Sequence, residues 1–146
     1  MKQRVAIILA AGISSRMNTE LPKVLHEVCG REMLAYVLDA CREIGVGKIY
    51  VVIGYGSEQV QQRFSDCDDI VWISQQQQNG TAHAVLCCKE HLKDFDGQTM
   101  ILCGDGPLIR SQVLQTLADK YEAAQPAVVL ATALLNDPTG YGRIIR

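Results

Sequence analysis

Lys23, Arg16 and Asp105 are the side chains of this 146-residue chain best placed to do chemistry, because each stands beside a stretch that exposes backbone. Two cations close to a small-residue loop can offset the charge of a polyphosphate. A carboxylate just after a buried strand can hold Mg²⁺ through one oxygen while phosphates supply others. Arg16 and Lys23 belong to VAIILAAGISSRMNTELPK, residues 5–23, where an apolar run reaches Ala10, Ala11 and Gly12 and then Ser14 and Ser15. Residues without bulk let main-chain N–H groups face an anion. Asp105 stands in Gly104-Asp105-Gly106-Pro107, and four glutamines, Gln75 to Gln78, lead into Asn79-Gly80-Thr81. Each stretch has a plainer reading: a strand-to-helix turn with solvated basic residues, a turn aspartate, and polar filler. Their shared place after a strand is what links them.

The positioning elements follow from periodicity. Val5–Leu9, Lys48–Ile53, Ile70–Ile73, Thr99–Cys103 and Ala127–Leu134 read as five strands. Met33, Leu34, Val37, Leu38, Cys41 and Ile44 recur at helical spacing until Gly45. A short helix is expected after Gly56, capped by Ser57 with Val60 and Phe64 inward. A second, with Thr81 as its cap, runs to about Leu92, and a third is capped by Ser111 with Val113, Leu114, Leu117, Ala118 and Tyr121 on its buried stripe. Strands alternating with helices imply an α/β domain, residues 1–146, with parallel strands, right-handed crossovers and helices on both faces. In such a sheet ligands sit outside the carboxyl ends of the strands, where Gly12, Gln75 and Asp105 all fall.

Composition narrows the function classes. Apolar residues make up 48% and charged residues 21%, at a net charge of −2, so there is no basic field of the kind that holds nucleic acid. No apolar run approaches the ~18 residues of a membrane span, and no leader with an A-x-A site is visible, so a cytoplasmic protein is expected. Six cysteines without a CxxC pair suggest reduced thiols. His83, Cys87 and His91, four apart, would share a helix face within reach of a metal, but a fourth ligand is not evident. Neither GxxxxGK[ST] nor GxGxxG occurs.

LAAGISSRM followed by Pro22-Lys23 resembles the first loop of the sugar-nucleotide nucleotidyltransferases. PKVLH at residues 22–26, Gly30, GTAHA at 80–84, GDGPLI at 104–109 and DPTGYGRI at 137–144 are similar to one branch of them. That branch is the uridyltransferase domain of the bacterial bifunctional N-acetylglucosamine-1-phosphate uridyltransferase/glucosamine-1-phosphate acetyltransferases. The resemblance implies a Rossmann-like three-layer α/β/α fold with a mainly parallel sheet, C-terminally incomplete. The implied reaction is UTP plus N-acetylglucosamine 1-phosphate giving UDP-N-acetylglucosamine and pyrophosphate.

By the same resemblance the backbone of Leu9, Ala10, Ala11 and Gly12, with Gln75, Gly80 and Thr81, would hold the uridine. Arg16 and Lys23 would meet the phosphates, Asp105 would bind Mg²⁺, and Gly104 and Gly142 would line the sugar side. The family's second metal ligand, further sugar contacts and its acetyltransferase β-helix are expected beyond position 146. Three positions depart from the family pattern: Ser14 for glycine, Cys103 for an aromatic, Gly106 for an aliphatic residue. A transferase for another nucleoside triphosphate, or a nucleotide-binding module without turnover, fits the same loops. Unpaired strand edges would favour self-association.

Overall fold

A computed structural model describes residues 3–13, 19–142 and 144–145. Arg16, Ser14 and Ser15 therefore lie outside the described residues. The elements in order are β1 (Arg4–Ala10), a 3₁₀ turn (Lys23–Leu25), β2 (Glu27–Val28), β3 (Arg31–Glu32), α1 (Met33–Glu43) and β4 (Lys48–Ile53). They continue with α2 (Ser57–Arg63), β5 (Ile70–Ser74), α3 (Thr81–Leu86), α4 (Lys89–Leu92), β6 (Gln98–Cys103) and α5 (Ser111–Ala124).

Alternation along β1 explains the layering. Ala6, Ile8 and Ala10 face one side with Ile49, Val51 and Ile53, and pack under Leu34, Val37, Leu38 and Cys41 of α1, Val60 of α2 and Leu114 of α5. Val5 and Ile7 face the other side with Tyr50, Val52 and Ile73, against Ala84 and Cys88. A strand apolar on both faces belongs inside a parallel sheet. The sheet order is β5-β4-β1-β6, all pairs parallel, with Val5 opposite Lys48 and Leu9 opposite Cys103. This is the three-layer α/β fold expected.

At the amino end of the sheet Arg4 is buried and fully engaged. Its guanidinium donates to Gln98 Oε1 at 3.1 Å, to the Ile44 carbonyl at 3.0 Å, to Gln115 Oε1 at 3.1 Å and to Glu122 Oε1 at 3.1 Å. A buried charge is tolerable only when paired and hydrogen-bonded in this way. The cluster ties β1, β6, α1 and α5 together.

Several expectations are corrected. Ala127–Leu134 forms no strand, and Val128, Leu130 and Leu134 are exposed. Strand propensity needs a neighbour to supply the ladder, and β6 is the edge of the described sheet with no partner beyond it. Ser57, Thr81 and Ser111 are the first helical residues rather than caps, the cap positions being Gly56, Gly80 and Arg110. The helix expected from Thr81 to Leu92 is broken into α3 and α4. Glu27–Glu32 forms a small hairpin, β2 against β3, that turns on Cys29 (φ 53°) and Gly30 (φ 75°), the two successive positive φ angles a tight hairpin requires.

All six cysteines are free. Burial pushes the Cys41 thiol up to about 12 and the Cys88 thiol to about 11, so both stay protonated as core atoms. No helix among the described residues is long and apolar enough to cross a membrane.

Leu38→Ala, at a fully buried position between α1 and the sheet, should lower unfolding free energy by about 2–5 kcal/mol in urea titrations. Leu134→Ala, on an exposed side chain, should change it by less than about 0.5 kcal/mol. A loss at Leu134 as large as that at Leu38 would show that residues 127–134 pack as a strand after all.

Candidate nucleotide site

The carboxyl ends of β1, β5 and β6 surround a cavity of about 350 Å³. Leu9, Ala10, Ala11 and Gly12 form one wall, Gln75, Gly80 and Thr81 a second, and Lys23 and Asp105 the rim. Three loops read separately from the sequence thus converge.

Lys23 is held by its neighbours rather than by its own side chain. Pro22, Val24 and Leu25 are buried, so the 3₁₀ turn is anchored on apolar residues either side of the lysine. Pro22 packs onto Gly56, where a Cβ would come within 2.3 Å of the proline ring and φ is +63°. Both facts demand glycine at 56. Lys23 Nζ then reaches Asp105 Oδ2 at 2.5 Å, with the two side chains 41% and 34% exposed.

Asp105 is aimed by the residue before it. The Gly104 N–H donates to the Leu9 carbonyl at 2.9 Å, carrying the β1–β6 pairing one step past the strands. A Cβ at Gly104 would lie 3.1 Å from Leu9 O and 3.2 Å from both Ile8 Cγ2 and Val24 Cγ1. Gly104 is therefore behind the wall, not in it. Its smallness lets β6 leave the sheet close to both β1 and the lysine turn.

The second wall is equally tied down. The Gln75 N–H donates to the Ile53 carbonyl at 2.8 Å, and its buried side chain sends Nε2 to the Gly80 carbonyl at 3.2 Å and to His83 Nδ1 at 3.0 Å. Gln78 Nε2 donates to the Ala11 carbonyl at 2.9 Å, clamping this loop onto the first. Gly54 sits beneath, where a Cβ would be 3.0 Å from Ala11 O.

Gln78 and Gly54 are site residues that sequence reasoning passed over, while His83 drew notice only as a metal ligand and Cys103 only as a departure from the family pattern. Four identical glutamines give no sign of which one bridges the loops. Gly54 carries no sign in the sequence of its tight contact with Ala11, which exists only once β1 and β4 are paired. Cys103 lines the cavity. Burial and then the Asp105 charge push its thiol up, with Lys23 opposing, so it stays protonated and is no nucleophile near neutral pH.

Gly142 is exposed and is not among the cavity residues; a Cβ there would meet nothing within 4 Å. Gly106 likewise has room for a side chain, its nearest neighbour being Cys103 O at 3.5 Å. His83 is engaged with Gln75, and the His91 ring lies 5.7 Å from Tyr50. Among the described residues no group of three His, Cys, Asp or Glu side chains is placed to hold a metal. Asp105 suits a different kind of site: it lines the cavity with its side chain about a third exposed and meets Lys23 through Oδ2. Mg²⁺ is commonly held by one or two carboxylates together with substrate phosphates and water.

Residues 6–142 match the family described as the MobA-like NTP transferase domain. The chain belongs to that family. It is 45% identical over 143 residues to the bifunctional protein GlmU of Clostridium beijerinckii, an alignment covering 98% of this chain and 31% of that protein. The chain thus spans about a third of the length of the curated relatives it matches.

Among solved structures, a nucleotidyl transferase from Methanothermobacter superposes with a TM-score of 0.67 at 20% identity, over 80% of this chain and 57% of the other. A UDP-glucose pyrophosphorylase from Acinetobacter baumanii superposes with a TM-score of 0.68 at 20% identity, over 86% and 54%. These two share the fold.

Within this nucleotidyltransferase domain Gly104→Ala should cost about 1–3 kcal/mol in thermal or urea unfolding, because Leu9, Ile8 and Val24 must give way. Gly142→Ala, in open space, should stay within about 0.5 kcal/mol of the native chain. Equal effects at the two positions would contradict the close approach of β6 to β1.

Proposed function

We propose that the chain is the nucleotide-binding part of a uridyltransferase that moves uridylyl from UTP to N-acetylglucosamine 1-phosphate, releasing pyrophosphate. The observation that carries this reading is the meeting of Lys23 and Asp105, 82 residues apart in sequence, at the rim of the cavity formed by the first loop and the glutamine loop. Whole-length similarity to part of GlmU supports the choice of substrates.

On this reading the backbone of Leu9–Gly12 and the Gln75, Gly80 and Thr81 cluster hold the uridine, and Lys23 and Arg16 meet the phosphates. Gly142 would flank the sugar. An ion pair between two partly exposed groups is worth at most about 1 kcal/mol. A triphosphate therefore takes over the Lys23 ammonium at small cost, which frees the Asp105 carboxylate. Mg²⁺, which Asp105 would hold, supplies charge neutralisation between two anionic reactants.

An oxygen of the sugar phosphate attacks the α-phosphorus in line. The new O–P bond forms as the bond to the bridging oxygen breaks, and pyrophosphate leaves with that electron pair. No general base is required, because a phosphate monoester is already anionic near neutral pH. Positioning and charge stabilisation carry the rate. A second reading, nucleotide binding without turnover, draws on the exposed position of Gly142, which the structure does not bring to the cavity.

Titration calorimetry should show UTP binding that tightens with Mg²⁺. Lys23→Ala should weaken it roughly tenfold or more, as for a lost charge-assisted hydrogen bond. Asp105→Asn should abolish the Mg²⁺ effect. Absence of heat with UTP and Mg²⁺ would overturn the proposal, and CTP outcompeting UTP would overturn the choice of base. Pyrophosphate release with both substrates would exclude the reading without turnover.

A further inference from the structure

Two neighbours fix the Gln75 amide: the Gly80 carbonyl in the cavity lining and the His83 ring outside it. We propose that His83 is a positioning residue for base selection: its Nδ1, together with the Gly80 carbonyl, holds the Gln75 amide so that Oε1 faces the cavity and accepts the ring N–H of a uracil-type base. The inference rests on the nucleotide reading given above and adds to it the group that sets base preference.

The orientation follows from what each neighbour can do. Gln75 is 5% exposed, and its own N–H is fixed to Ile53, so the side chain has little freedom. Its terminal amide lies 3.2 Å from the Gly80 carbonyl, which can only accept. The atom there must be the nitrogen, since an amide oxygen against that carbonyl would leave two acceptors facing each other. Nε2 carries two hydrogens, and the second points to His83 Nδ1 at 3.0 Å. That nitrogen must therefore be the unprotonated one, with the imidazole proton on Nε2.

With both N–H groups taken, Oε1 is what remains for a ligand. Among the described residues the single sealed side-chain polar atom without a partner is His26 Nε2, so Gln75 Oε1 is not shut away, and Gln75 lines the cavity. The lock has a local origin. Gly80 adopts φ 89° and ψ −178°, a conformation that favours glycine and turns its carbonyl toward both Gln75 and the Ala84 N–H. His83 follows one helical turn later, on the first turn of α3.

A fixed acceptor discriminates. Uracil offers N3–H, whereas cytosine in the same pose offers the N3 lone pair, which would face Oε1 with no proton between them. A site built around one hydrogen bond rejects the ligand that leaves its buried group unpaired. Without the His83 acceptor one amide hydrogen loses its partner and only the Gly80 carbonyl still opposes the flip, so the flipped amide, which would offer cytosine a donor, costs less by about one hydrogen bond.

The test compares UTP and CTP affinities, each with Mg²⁺, for the native chain, His83→Phe and His83→Asn. Phenylalanine keeps the ring and removes the acceptor, while the Asn oxygen can stand near the place of Nδ1. The UTP:CTP ratio should fall about tenfold in His83→Phe, the worth of one hydrogen bond, and recover most of that in His83→Asn. An unchanged ratio in folded His83→Phe, or equal weakening of both nucleotides, would overturn the inference. Should His83→Phe fail to fold, ¹⁵N NMR of the free native chain decides: the Nε2–H tautomer at His83 supports the lock and the Nδ1–H tautomer defeats it. Failure of the native chain to bind any nucleoside triphosphate would overturn the nucleotide reading, and base selection with it, whatever the tautomer.

Discussion

The separation between two backbones, where β6 leaves the sheet beside the end of β1, is the constraint on which the site depends. Gly104 donates to Leu9 O at 2.9 Å, and a methyl group there would press on Leu9, Ile8 and Val24 at 3.1–3.2 Å. That contact decides where Asp105 emerges and how near it comes to the lysine turn. The same device recurs twice more, with Gly54 against Ala11 and Gly56 against Pro22. Three glycines at strand ends let three loops approach more closely than side chains allow. The charged groups are placed by this approach, not by attraction between them.

The two ends of the sheet use charge in opposite ways. At the amino end Arg4 is buried and held by four hydrogen bonds to three side chains and one carbonyl, so removing any partner leaves a buried charge short of contacts. At the carboxyl end Lys23 and Asp105 are partly exposed and joined by a single contact. The first arrangement is over-determined and structural. The second is easily exchanged, as a site requires when an anionic ligand and a cation must each claim one member of the pair. Polar contacts within the glutamine loop fall between these extremes, since Gln75 gives both amide hydrogens, and Gln78 one, to the protein itself.

Much of this was legible in the sequence because a parallel sheet writes its strands as apolar runs and its site as whatever follows them. Val5–Leu9, Lys48–Ile53 and Thr99–Cys103 were readable on that basis, and Asp105 and Gly80-Thr81 were found from their places after strands. Ala127–Leu134 carried the same signal and failed, because pairing is a property of two segments and composition reports only one. Cap positions shifted by one residue where glycines at positive φ, Gly56 and Gly80, took the role ascribed to Ser57 and Thr81. His83 and Gln78 were illegible for a related reason: their partners, Gln75 and Ala11, are set by the tertiary approach of loops, and a residue type alone does not announce its contact.

The most direct measurement is a crystal structure of the chain with UTP and Mg²⁺. The triphosphate should lie beside Leu9–Gly12, with Lys23 Nζ moved from Asp105 to a phosphate oxygen and an Asp105 oxygen on the metal. A nucleotide bound elsewhere, or one bound in the cavity with the Lys23–Asp105 pair intact and no metal at Asp105, would contradict that placement.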